Sequence, residues 1–204
     1  MTQEAVLHLA KIDKTLGKLI QRVGPCTLTP KNGRSPFESL VRSVVYQQLN
    51  GTAAATILAR VKALFPGRRF PRPDDFLSTS DERLRSAGLS RAKTAAVKDI
   101  SAKTLAGIVP NSRSIVQMTN EEIIERLTTL RGVGPWTVEM LLIFTLGRPD
   151  VLPVTDYGVR KGFARAYRRK DLPEPKELLR FGERWKPHRT TAAWYFWRAA
   201  ELPE

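Results

Sequence analysis

The chain has 204 residues, 42% of them apolar, and carries 34 Lys and Arg against 20 Asp and Glu for a formal net charge of +14. That is enough apolar material for a packed core, which excludes a disordered tail, and a basic balance of this size favours a polyanionic partner through counterion release. A lone cysteine, Cys26, excludes an internal disulfide, a cysteine zinc site and a four-cysteine iron–sulfur cluster; no apolar run approaches a membrane span, so an intracellular protein is expected.

Apolar residues recur at three-to-four spacing along nearly the whole chain, which predicts an all-α fold. A first helix is expected over about 3–22. Ser35-Pro36-Phe37-Glu38 has the composition of a helix start, with a cap, a first-turn proline and an acid at the third position, and it opens a helix over about 36–48. Further helices follow at about 52–65, 73–78 and 81–87, the last closed by Gly88, and at about 91–107, started by Ser90. Thr119 and Glu122 form a capping-box candidate for a helix over about 120–128. The remaining segments are expected at about 135–146, 156–168, 175–185 and 189–201. Short Pro/Gly connections such as Pro66-Gly67 and Gly147-Arg148-Pro149 suit a compact bundle, and no repeat is visible.

The most informative stretch is Leu130-Arg131-Gly132-Val133-Gly134-Pro135-Trp136-Thr137, between two helical patterns. Glycines here permit positive backbone dihedrals and let an anion approach the main chain without meeting a Cβ. Pro135 begins the next helix, whose N-terminal N–H groups and positive dipole end hold a phosphate without reading sequence. Gly132, Gly134 and Thr137 are therefore the candidate phosphate contacts, with Arg91, Lys93, Arg160 and Lys161 as candidate cations around them. Further on, Gly147 to Pro153 leads to Val154-Thr155-Asp156-Tyr157-Gly158-Val159-Arg160-Lys161. Read alone, Asp156 is a helix N-cap.

Leu-x-Gly-Val-Gly opening a helix, followed by a Gly/Pro-rich loop and an aspartate, resembles the helix-hairpin-helix DNA glycosylase superfamily over roughly residues 35–200. The resemblance implies that Asp156 is the catalytic carboxylate. Bifunctional members carry a lysine where this chain has Trp136, so the resemblance is to monofunctional enzymes of the DNA-3-methyladenine glycosylase II type. It implies excision of alkylated purines from double-stranded DNA, leaving an abasic site, by a monomer that needs neither a membrane nor an iron–sulfur cluster. A single glycosylase domain of two helical lobes is expected, a central one over about 35–130 and a second made of the N-terminal helix with about 131–204, the active site lying in the cleft between them.

The chemistry asks for particular residue types. Breaking an N-glycosidic bond passes through an oxocarbenium-like transition state, which a carboxylate stabilises while it holds or deprotonates a water. The base must first be flipped out of the duplex, and N3 or N7 alkylation makes it a cation that an aromatic face attracts. Trp136 and Trp197 match pocket-wall positions of the family, Tyr157 stands beside the aspartate, and Trp194 and Phe196 read as core anchors. Within Val45-Tyr46-Gln47-Gln48-Leu49-Asn50-Gly51-Thr52, Gln48 aligns with the side chain that fills the vacated stack. The family also implies a monovalent cation on hairpin carbonyls, here those of Thr128, Leu130 and Val133. His8 and His188 are far apart in sequence and lack a ligand pattern. A noncatalytic hairpin DNA-binding protein needs neither Asp156 nor Trp136, and a lyase for oxidised bases needs an amine near position 136.

Overall fold

The computed structural model describes residues 2–30 and 33–203, and these form twelve α-helices joined by short connections, without a strand. Where periodicity predicts one helix at the start there are two, α1 (Gln3–Ile12) and α2 (Lys14–Val23). The break is Asp13, which leaves helical geometry at φ −136°, ψ 102° and caps both neighbours. Its N–H closes α1 on the Leu9 carbonyl, while Oδ1 accepts the Thr15 and Leu16 N–H groups that α2 leaves unsatisfied.

Helix α3 (Pro36–Tyr46) starts as expected, the Ser35 hydroxyl accepting from the Glu38 N–H at 3.1 Å, but ends two residues before the predicted position. Then come α4 (Gly51–Ala63), capped by Asn50, α5 (Pro73–Ser78) and α6 (Asp81–Ser86), after which Gly88 adopts φ +108°. Ser90 caps α7 (Arg91–Leu105), and Thr119 and Glu122 complete the capping box of α8 (Asn120–Leu127). The chain finishes with α9 (Pro135–Phe144), α10 (Tyr157–Ala166), α11 (Pro175–Gly182) and α12 (Arg189–Glu201). Asp156 is not the first residue of α10 but its cap.

Two compact units result, Asn32–Leu141 and the combination of Met1–Lys31 with Leu142–Glu204. The central unit keeps the whole hairpin and most of α9, so it runs past residue 130. Its core gathers Leu40, Val44, Leu58, Phe76, Ile100 and Ile123 between α3, α5 and α7, all at most 4% exposed. In the other unit α10 packs along α12 over Leu9, Leu16, Val159, Phe163 and an aromatic cluster of Tyr167, Phe181, Trp185 and Phe196. Trp194 and Phe196 are buried, in keeping with an anchoring role.

Asp13 is the polar node of that second unit. Only 7% exposed, it accepts the Tyr167 hydroxyl and, at 3.0 Å, the Trp185 indole N–H on Oδ2. Burial alone would push its carboxyl up, yet the bonds from Tyr167, Leu16, Trp185 and Thr15 together hold it below the ordinary carboxylate value. A depressed folded-state value means that this stabilisation is complete above the unfolded value and is lost as pH falls through the folded one. Asp13→Ala removes a cap and strands two buried donors, so it should lower the unfolding free energy by about 3 kcal/mol in urea titrations. Asp13→Asn should also lose less stability than the unsubstituted chain as pH falls below about 4, the unfolded carboxylate value, toward the lowered folded one.

Candidate active site

In the unit that contains α10, the aspartate site is built by two glycines. Gly158 and Gly162 lie four residues apart on one face of α10, where a helix brings such positions together. A methyl group at 162 would overlap the Phe196 carbonyl, and one at 158 would stand 2.9 Å from Trp197 Cδ1 and 3.2 Å from Asp156 Oδ1. Bare backbone therefore lets α12 approach α10 closely enough for the Trp197 indole to reach the cap residue.

Asp156 Oδ1 accepts from the Val159 N–H and from Trp197 Nε1, both at 2.8 Å. The N-cap reading of the sequence is thus correct in geometry, and a second donor converges on the same oxygen. Two uncharged donors and the positive end of α10 fix this half-buried carboxylate in orientation. Trp197 stacks on Phe144 with ring centroids 5.6 Å apart and an interplanar angle of 25°. Its N–H is committed to Asp156, a link that sequence alone does not reveal; the Gly158/Gly162 pair was the available signal for it. Tyr157, the first residue of α10, is 65% exposed.

The central unit contains the hairpin. Gly132 adopts φ +74°, and a Cβ there would meet the Ala96 methyl at 3.1 Å. Gly134 is different: it does not enter the left-handed region, and a Cβ on it would find nothing within 4 Å. Only the first glycine serves the turn, then, whereas the second leaves an open face at the start of α9. Thr137 is 2% exposed and its hydroxyl accepts from Gln47 Nε2 at 3.3 Å. Trp136, the second residue of α9, is 39% exposed.

The hairpin is tied to α7. Asp99 accepts the Arg131 N–H at 2.8 Å, and Lys103 bridges Asp99 and the Thr129 carbonyl. Lys93 donates to the carbonyls of Val45 and Gln47, at 2.8 Å each, and burial pushes its ammonium below the usual lysine range. Two of its three N–H donors are therefore engaged within the protein. Arg160 likewise donates through Nε to the Pro173 carbonyl. Arg91 is exposed and Lys161 half-buried.

Tyr46 to Leu49 form a turn closed by the Leu49 N–H on the Tyr46 carbonyl at 3.3 Å. Gln47 at φ −52°, ψ 133° and Gln48 at φ +56° have type II character, in which the third residue is ordinarily glycine. Holding Gln48 there costs on the order of 1 kcal/mol, and the residue is exposed. Among the described residues no group of three His, Cys, Asp or Glu is arranged to hold a metal, although His8 and His188, remote in sequence, meet edge to face with centroids 5.2 Å apart. No described helix is long and apolar enough to cross a membrane.

An all-helical fold carrying a glycine hairpin and, beyond it, a capped aspartate defines a class of DNA repair protein. The model of the HhH-GPD superfamily of base excision DNA repair proteins matches residues 41–188, and the chain belongs to that family. It is 36% identical to DNA-3-methyladenine glycosylase 1 of Schizosaccharomyces pombe, across 98% of this chain and 89% of that one. The solved structure of that glycosylase in complex with abasic DNA superposes with a TM-score of 0.91 over 98% of both chains. A DNA-3-methyladenine glycosidase structure from Bacillus halodurans, 35% identical, gives 0.86 over 98% of this chain and 89% of that one. The alkylbase DNA glycosidase-like protein mag2 of S. pombe is 32% identical across 98% and 94% of the two chains.

Gly158→Ala should fold but push the Trp197 indole off Asp156. The Trp197 indole N–H resonance should shift upfield in a proton–nitrogen NMR spectrum, and an unmoved resonance would mean that the glycine is not what admits the indole.

Proposed function

We propose that this chain is a monofunctional DNA glycosylase that flips alkylated purines from duplex DNA and hydrolyses their N-glycosidic bond, leaving an abasic site. The observation that carries this reading is the Asp156 carboxylate, fixed by Val159 and Trp197 in a chain whose α9 has Trp136 as its second residue, where a lyase would need an amine. A carboxylate already oriented stabilises charge developing on the sugar without reorganising.

The reaction follows from charge. An N3- or N7-alkylated purine is cationic, and as the bond from C1′ to N9 breaks the electron pair leaves with the base and neutralises it. Positive charge passes to the sugar, where Asp156 opposes it. Water oxygen then bonds to C1′, and its proton is lost to solvent directly or by way of Asp156. Exposed aromatic faces suit the cationic base, and we assign that task to Trp136 and Tyr157. Trp197, with its N–H held by the carboxylate, aligns Asp156 and borders the same chemistry.

Duplex DNA is held, in this reading, by backbone N–H groups at the start of α9, with Gly132 and Gly134 keeping side chains out of the way and Gln48 entering the vacated stack. The hairpin carbonyls of Thr128, Leu130 and Val133 are a neutral oxygen set of the kind a monovalent cation takes. Leu130's carbonyl already accepts the Val133 N–H at 3.2 Å and keeps one lone pair for such an ion. The ion would add positive charge beside the phosphate. A single chain suffices for all these roles.

Purified protein should release free methylpurine from methylated duplex DNA, with strand breaks appearing only after alkali. Asp156→Asn should keep DNA affinity and lose single-turnover release by at least about a hundredfold. An unchanged rate removes Asp156 from the chemistry, and breaks without alkali remove the monofunctional assignment. Gly134→Val, placed on an open face, should leave the melting temperature unchanged yet weaken binding to every duplex sequence about tenfold. A loss restricted to one sequence would argue against phosphate anchoring.

A further inference from the structure

Four groups in the central unit meet where the α3–α4 turn faces the hairpin. The Gln47 side-chain amide donates to the Gly132 carbonyl at 2.9 Å and to Thr137 Oγ1 at 3.3 Å. The Gln47 backbone carbonyl, together with that of Val45, accepts the Lys93 ammonium. Lys93 and Ala96 lie three residues apart on α7, and Ala96 is the residue against which Gly132 is packed. One helix thus braces both the turn and the hairpin, and Gln47 joins the two directly.

The arrangement has a specific beneficiary. Gln48 follows Gln47 and sits in a left-handed conformation that its side chain disfavours. Type II turns turn the second residue's carbonyl outward, and here that carbonyl is taken by Lys93. Val45 and Gln47 carbonyls at the end of α3 lack their own helical partners, so an ammonium there also offsets the negative end of the helix. Were the only need a tight connection, glycine at 48 would meet it without strain. What a glutamine adds is a side chain projecting from a fixed point.

We propose that Gln47 and Lys93 are positioning residues that hold Gln48 in its left-handed turn at a set distance from the hairpin's phosphate anchor. The proposal rests on the reading of Gln48 as the plug of a base-flipping enzyme. DNA gripped at Gly132–Thr137 then has the plug in register with the lesion, so ordering the turn is completed during folding rather than on DNA. Neither residue touches the reacting atoms, and their effect passes through Gln48.

A double-mutant cycle tests this, reading single-turnover base release, affinity for undamaged duplex, and flipping by fluorescence of 2-aminopurine next to the lesion. Gln47→Leu keeps size and removes the donor. It should slow release and flipping about tenfold to a hundredfold while affinity for undamaged duplex stays within about twofold. In a Gln48→Ala background the same change should cost less than about twofold, because the plug it serves is gone. Lys93→Arg should retain most of the rate, and Lys93→Met should lose it as Gln47→Leu does. Should Lys93→Met fail to fold, the Gln47 cycle stands by itself. Additive losses for Gln47→Leu and Gln48→Ala overturn the positioning role and leave the plug intact. An unimpaired Gln48→Ala overturns the plug reading and this inference with it. An equal loss of affinity for undamaged duplex makes Gln47 part of the anchor instead.

Discussion

Close approach of α10 to α12 is the constraint on which the candidate site depends. Helices normally pack through interdigitated side chains at 8–10 Å between axes; here Gly158 and Gly162 remove the side chains from one partner, and the Phe196 backbone fills the space. The gain is a tryptophan whose N–H reaches a helix cap. Backbone and indole donors then hold one carboxylate oxygen together, and neither brings a charge that would neutralise it. A lysine or arginine in the same place would fix Asp156 as firmly but cancel the field that the proposed chemistry asks of it.

The two units contribute unlike things. At the start of α10 the fold holds one carboxylate by uncharged donors, whereas in the central unit the nearby lysines Lys93 and Lys103 reach main-chain carbonyls. Lys93 and Lys103 both donate to carbonyls, at the α3 end and at Thr129. A net charge of +14 favours a polyanion at a distance, while exposed Arg131 stands in the hairpin itself. The phosphate recognition by N–H groups proposed above carries no sequence information, which suits binding to any sequence.

Local signals were the most legible in the sequence. Ser35, Ser90, Thr119 and Asp156 all cap the helices they precede, because a cap is decided by a residue and its neighbour three positions on. The glycine hairpin was equally plain, although Gly134 proves to be open surface rather than turn geometry. What could not be seen was set by distant partners. Asp13 interrupts a periodic apolar run because Tyr167 and Trp185, more than 150 residues away, need an acceptor there. That Lys93 reaches the Val45 and Gln47 carbonyls, more than forty residues earlier, has no local signal. Gln47 looks like an unremarkable neighbour of Gln48 until Gly132 arrives beside it.

The cap at position 156 has a consequence for how such a protein changes over time. Asparagine caps a helix as well as aspartate does, and its side-chain oxygen can accept both the Val159 and the Trp197 N–H. These two bonds therefore exert almost no preference between the two residues at the position to which the proposed function assigns the chemistry. On the catalytic role proposed for Asp156, quality control that senses unfolded chains would pass an inactive asparagine form, which would accumulate normally. Core residues are guarded by stability; on the role proposed for it, this one is guarded by function alone.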